Sequence, residues 1–178
     1  MSEIEVIKEF RDDFWPYEGI DHLRYTARAL ARNEEGKYAF LHIQGEDFFG
    51  VRDHLETIGG GMEENEYIDE TMIREIQEEV GYGVRNMAIL GAIIDTYNLI
   101  HRITYSTFFV VDLDTSEMLE THKTEEEEIL ISEVVWLDPL EALNRLEKDE
   151  GSAVDRIVQR RDAFALRYYL ENFTDLIQ

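Results

Sequence analysis

Between Gly59 and Tyr82 the chain runs GGGMEENEYIDETMIREIQEEVGY, and no other stretch restricts its folding as much. Glycines at 59, 60 and 61 permit positive φ and close backbone approach, which predicts a loop ahead of a helix. Glu66, Asp69 and Glu70 suit the positive end of that helix, and Gly81 suits a left-handed stop. At about 100° per residue, Ile68, Met72, Ile73, Ile76 and Val80 share an apolar arc that faces a core, with Asp69 projecting into it.

Glu75, Glu78 and Glu79 fill the adjoining arc, Glu79 nearest the apolar stripe. Left alone, this arrangement is unfavourable. Like charges at i,i+3 and i,i+4 each cost roughly 0.2–0.5 kcal/mol, and carboxylates are disfavoured near the negative end of a helix. A half-buried Glu79 costs more unless it is paired. A divalent cation offsets all three penalties, and hard oxygen ligands select Mg²⁺ or Mn²⁺. The plainer alternative is a solvated acidic face.

Register separates the two. From Gly60 the stretch reads G-x5-E-x7-R-E-U-x-E-E-x-G-U, with U a bulky apolar residue. Its fixed letters are Gly60, Glu66, Arg74, Glu75, Glu78, Glu79 and Gly81, with Ile76 and Tyr82 at the apolar positions. Seven letters at about 1 in 15 each coincide by chance at roughly one start in 10⁸, somewhat more often in a Glu-rich chain. The pattern resembles the Nudix box over its full length. It departs only at Tyr82, where an aliphatic residue is commoner, and at Ile58, where proline often stands.

The resemblance implies an α/β (α+β) Nudix fold, a mixed β-sheet sandwiched between α-helices, here with an extra C-terminal helix. It implies a hydrolase that uses Mg²⁺ or Mn²⁺ to cleave a phosphoanhydride bond in a small nucleoside diphosphate derivative: a nucleotide, nucleotide sugar or dinucleotide. By that resemblance Glu75, Glu78 and Glu79 hold the metal, helped by the backbone carbonyl of Gly59. Glu66 and Arg74 pair to fasten the glycine segment to the helix. Family members often add a glutamate from the loop before a strand–helix segment such as SEVVWLDPLEAL. Glu125, Glu126, Glu127 and Glu128 are therefore candidates for a ligand or the base that activates water, with Glu133 behind them. The competing class is a catalytically silent Nudix domain that senses nucleotides, but such domains usually lose box carboxylates and none is lost here. An isomerase on the same fold relies on cysteine, and this chain has none.

A net charge of −23 argues against long nucleic acid and anionic membranes as partners. It leaves room for a small anionic substrate only where cations reverse the local field, and it leaves homodimerisation open. The absence of cysteine removes disulfides and thiol chemistry. MSEIEVIKEF lacks the pattern of a signal peptide, so a cytoplasmic protein is expected. Its 178 residues suit a single domain, with a core over about 22–148 and a helical extension over about 149–178.

Residues 2–12 suggest an amphipathic helix through Ile4, Val6, Ile7 and Phe10. Strands are expected over Tyr25–Arg32 and Lys37–Ile43, joined as a hairpin at Asn33–Gly36. A polar loop, QGEDFFGVRD, carries Phe48 and Phe49, which either stack on a base or plug a core edge. His54–Ile58, Val84–Tyr97, Arg102–Leu113 and Val134–Leu137 read as further strands. Pro139–Leu146 and 151–174 read as helices, the first opened by proline. Asp112-x-Asp114-x-Ser116 begins like a calcium loop but lacks its glycine and closing glutamate. The five histidines show no ligand spacing.

Overall fold

In a computed structural model the residues described are 3–177, apart from the side chains of Glu126, Ile129 and Ser132. Seven strands form one mixed sheet in the order β1-β5-β6-β2-β4-β3-β7. They are β1 (Val6–Phe10), β2 (His22–Arg32), β3 (Tyr38–Asp47), β4 (Gly50–Gly61), β5 (Gly83–Tyr97), β6 (Arg102–Asp114) and β7 (Ile131–Leu137). The helices are α1 (Ile68–Val80), α2 (Glu125–Leu130), α3 (Pro139–Leu146) and α4 (Ala153–Phe173). No helix among the described residues is long and apolar enough to cross a membrane.

Period-2 alternation splits the core in two. Ala27, Ala29, Ala31, Ala39 and Leu41 face one way, toward Met72, Ile76 and Val80 of α1. Leu30, Tyr38 and Phe40 face the other, toward Ala142, Leu143 and Leu146 of α3 and Ala163, Leu166 and Leu170 of α4. The sheet is thus covered on both faces, and α4 belongs to one of the two cores.

The site is positioned by a change of partner within β4. Gly50–Thr57 pairs with β3, and Ile58–Gly61 pairs with β2. The expected β2–β3 hairpin therefore exists only as a turn. Asn33 N–H donates to Lys37 O, but the strands pair only at Arg32 and Tyr38, and β4 lies between them beyond that point. At the change of partner the backbone of Thr57 is met by side chains. Asp162 of α4 accepts from its N–H at 2.7 Å and its hydroxyl at 3.0 Å, while Arg28 donates to its carbonyl at 3.1 Å.

Three further expectations are corrected. The N-terminal segment is a strand, not a helix: the β-branched Val6 and Ile7 suit the open edge of β5, where Ala92 N–H donates to Glu5 O at 2.8 Å. The polar loop is a tight hairpin, because β3 continues to Asp47, Asp47 accepts from Phe49 N–H, and Gly50 supplies φ +99°. The three glycines end β4 instead of forming a loop. Only Gly59 among them takes positive φ, +148°, and a Cβ there would lie 2.0 Å from Ala27 O. Glycine is needed for the close approach of β4 to β2; the loop itself is Met62–Tyr67.

Candidate active site

Helix α1 starts where Glu70 accepts from Tyr67 N–H at 2.8 Å and stops at Gly81, whose φ is +73°. Its apolar face buries Met72, Ile76 and Val80, but Ile73 is exposed and so is Asp69. Both lie outside the arc that contacts the sheet. One step round from the buried face, Glu75 and Glu79 are each only 4% exposed.

Glu79 accepts from Gly59 N–H at 2.9 Å, and Glu75 lies so close to Gly60 that a Cβ there would meet its Oε1 at 2.4 Å. Glu127 arrives from α2. Carboxylate oxygens of Glu75, Glu79 and Glu127 lie within 4.8 Å of one another. The segment expected to be a loop is thus a short helix, because Thr124 caps it: Thr124 accepts from Glu127 N–H at 3.3 Å and Glu127 accepts from Thr124 N–H at 2.7 Å. Glu125 and Glu128 are exposed and outside this group, and the Glu126 side chain lies outside the described residues. Glu133 is exposed on β7, 3.7 Å from His42.

Burial pushes Glu79 well above the ordinary carboxylate range, with Glu75 adding to the rise. Glu75 is raised by burial as well, against the pull of Arg74, and its Oε2 has no hydrogen-bond partner. Converging hard oxygens with an unsatisfied buried member form a donor set that fits a divalent cation such as Mg²⁺ or Mn²⁺.

Arg74 fastens this group to the sheet. It holds Glu66 through two contacts of 2.8 and 3.1 Å, Glu75 at 2.9 Å, Glu78 at 3.0 Å and Gly61 O at 3.0 Å. Glu66 is pulled down to about 2 by Arg74. Glu78 is half-buried in that ion pair and is not among the three converging carboxylates.

The carboxylates line a cavity of about 250 Å³ that also takes in Arg24, Arg28, Arg52 and Glu56. Those four residues continue into a second cavity of about 220 Å³, walled by Asp95, Tyr97, Arg102 and Arg161 among others. The cleft has an acidic half and a basic half, and the basic half escaped the sequence pattern. Several of its polar groups are buried and linked. Glu56 sits 2.7 Å from Arg28 and 3.2 Å from His54 Nε2, while His54 Nδ1 is 2.7 Å from Asp155 of α4. Burial opposes the charge on Glu56, but Arg28 and His54 hold it well below the usual range. Phe49 stacks on Tyr97 at 5.6 Å and also lines the second cavity, while Phe48 is exposed. The signal was present in part: Asp155 and Asp162, seven apart, fall on the same side of α4 as Val154 and Ala165.

A carboxylate at each ring nitrogen of His54 favours the imidazolium. Burial disfavours the imidazolium of His54, yet Asp155 and Glu56 outweigh it and lift its pKa above 6.5. A raised folded-state value stabilises the fold fully below 6.5 and ceases to do so as pH rises through the folded pKa. The stability advantage of wild type over His54→Gln is therefore expected to shrink as pH rises from about 6.5. Urea unfolding of both proteins across that rise measures it, and a constant difference would rule out a charged His54.

The family model described as the NUDIX domain matches residues 22–158. No curated protein matches significantly. An ADP compounds hydrolase structure aligns with TM-score 0.60 at 18% identity, over 83% of this chain and 73% of its own. A NUDIX hydrolase from Nitrosomonas europaea aligns with TM-score 0.60 at 17% identity, over 88% and 97%. The MutT protein from Methanosarcina mazei Go1 aligns with TM-score 0.60 at 18% identity, over 89% and 100%. At such identities the structures establish a shared fold.

Proposed function

The chain belongs to the NUDIX family of hydrolases, and from that premise we propose that it cleaves the phosphoanhydride bond of a small nucleoside diphosphate derivative with the help of Mg²⁺ or Mn²⁺. The observation that carries this is the convergence of Glu75, Glu79 and Glu127 beside Gly59 and Gly60, two of the three carboxylates being buried. In this proposal Glu75, Glu79, Glu127 and the Gly59 carbonyl would hold the cation, and Glu78, paired here with Arg74, would join them on leaving that ion pair. When bound, the cation supplies Lewis acidity and neutralises the pyrophosphate oxygens.

The chain's own residues do the rest. Arg74 and Glu66 hold α1 against the end of β4, so that Glu75 and Glu79 keep their places. Arg28 and Arg24 line the adjoining wall and orient the anionic substrate along the cleft. The proton of the attacking water passes to the carboxylate set, which titrates as a coupled group and not as one residue.

Substrate size follows from charge. Repulsion from a surface of net charge −23 reaches over about 10 Å at 0.1 M salt, so a small diphosphate fits inside the cation-lined cleft while a long RNA must also cross acidic surface. Incubation with Mg²⁺ and a panel of nucleotides, nucleotide sugars, dinucleotides and a capped RNA, at equal end concentration, is expected to yield products from the small compounds. Preferential cleavage of the RNA would overturn the assignment of substrate size, and hydrolysis of no member would overturn the function.

A further inference from the structure

Four buried side chains among those lining the basic half of the cleft carry polar atoms with no hydrogen-bond partner. They are Arg28 Nε, Arg161 Nη2, Asp95 Oδ1 and the Tyr97 hydroxyl, on residues no more than 9% exposed. Arg161 Nη2 has an ion-pair contact with Glu56 at 3.5 Å but no hydrogen bond. A buried donor or acceptor is ordinarily met by a protein group or by water, so four on residues around one cavity mark it as a place for a polar guest.

Charge identifies the contents. Arg24, an exposed residue at the mouth, and the half-buried Arg102 line the same cavity, and among the described residues neither has a carboxylate within ion-pair distance. Arg102 reaches only the Thr104 hydroxyl, at 3.1 Å, and lies over the Tyr97 ring at 5.6 Å. In a chain with 40 acidic and 17 basic side chains, arginines without a carboxylate are the exception. Burial, with Arg24 adding to it, lowers Arg102 to about 10, which still leaves it charged at neutral pH. A nucleobase suits the cavity less well, because Tyr97 already packs against Phe49 at 5.6 Å and Trp15 at 5.8 Å. Free N–H donors and uncompensated guanidinium charge call for a multivalent oxyanion.

We propose that the basic half of the cleft binds a second anionic group of the substrate, a phosphate-type group joined to the diphosphate that lies over Glu75, Glu79 and Glu127. Arg102 and Arg24 supply its counter-charge, Arg28 and Arg161 donate to its oxygens, and Asp95 accepts from a hydroxyl on the linking moiety. The two cavities share Arg24, Arg28, Arg52 and Glu56, so one molecule spans both. The substrate is then a diphosphate with a further phosphate on the side away from the carboxylates. This rests on the proposed hydrolase function, and its test is separable from that function.

Titration calorimetry of the full chain with inorganic phosphate in excess EDTA reads the basic half alone, since the carboxylate half repels anions when no cation is present. One saturable site is expected, weakened at least about 10-fold in Arg102→Gln and Arg24→Gln, largely restored in Arg102→Lys, and kept or tightened in Glu79→Gln. No phosphate binding by wild type, or binding indifferent to both arginine changes, overturns the subsite whether or not wild type hydrolyses the nucleotide panel. In Mg²⁺, phosphate at that site should compete with the substrate the panel identifies. Arginine-dependent binding without competition would make it a separate effector site and overturn its assignment to the substrate. If the panel yields no substrate, the hydrolase function fails, while the calorimetry still decides whether the phosphate site exists.

Discussion

Glu79→Gln is expected to lower kcat by at least about 10²-fold while leaving the fold intact, the lower range for removal of one positioned catalytic group. The substitution keeps the shape of a side chain that is 4% exposed, and the amide oxygen can still accept from Gly59 N–H. What it removes is the negative charge, one third of the carboxylate set. Without cation that charge is a liability, because burial and Glu75 both oppose it. The variant should therefore melt at the same temperature as wild type, or higher, in chelator, and gain less from added Mg²⁺. Glu127→Gln should fall with it, whereas Glu125→Gln and Glu128→Gln, whose side chains are exposed, should stay near wild type. Steady-state kinetics on the best panel substrate, with melting curves on the same samples, decide this. Normal turnover by Glu79→Gln would remove α1 from the chemistry.

Asp162→Ala is expected to be the most damaging change far from the carboxylates, with a loss of about 3–5 kcal/mol in unfolding free energy. Asp162 is wholly buried and accepts from Thr57 N–H, the Thr57 hydroxyl and Arg161 Nε, the last at 2.7 Å. Its removal strands two donors at the point where β4 changes partner and leaves Arg161 leaning on Glu56 alone, at 3.5 Å. Asp162→Asn keeps one acceptor oxygen and should cost less. Urea unfolding measures both. A loss below about 1 kcal/mol for the alanine variant would mean that α4 does not brace β4.

What could be read from the sequence tracks how local each interaction is. Helix α1 was legible because its caps and apolar period lie within its own residues, and β5, β6, α3 and α4 for the same reason. The Glu66–Arg74 pair was legible only through the family resemblance. The β4 partner change was not, since glycines that allow a loop equally allow a strand packed closely on its neighbour. Helix α2 is six residues long, too short to show a period, although Thr124-x-x-Glu127 is a capping box in plain view. The basic half is assembled from β2, β4, β5, β6 and α4, with pairs such as His54 and Asp155 lying 101 residues apart. Only the two aspartates on the apolar side of α4 hinted at it.

In the proposed function, converging carboxylates on α1 and α2 hold a divalent cation on which hydrolysis depends. Its most direct test is the hydrolysis rate of the best panel substrate as free Mg²⁺ is raised from zero in EDTA-treated protein. The rate should be nil in chelator and climb to saturation with Mg²⁺ or Mn²⁺. Full activity in excess chelator would contradict that dependence.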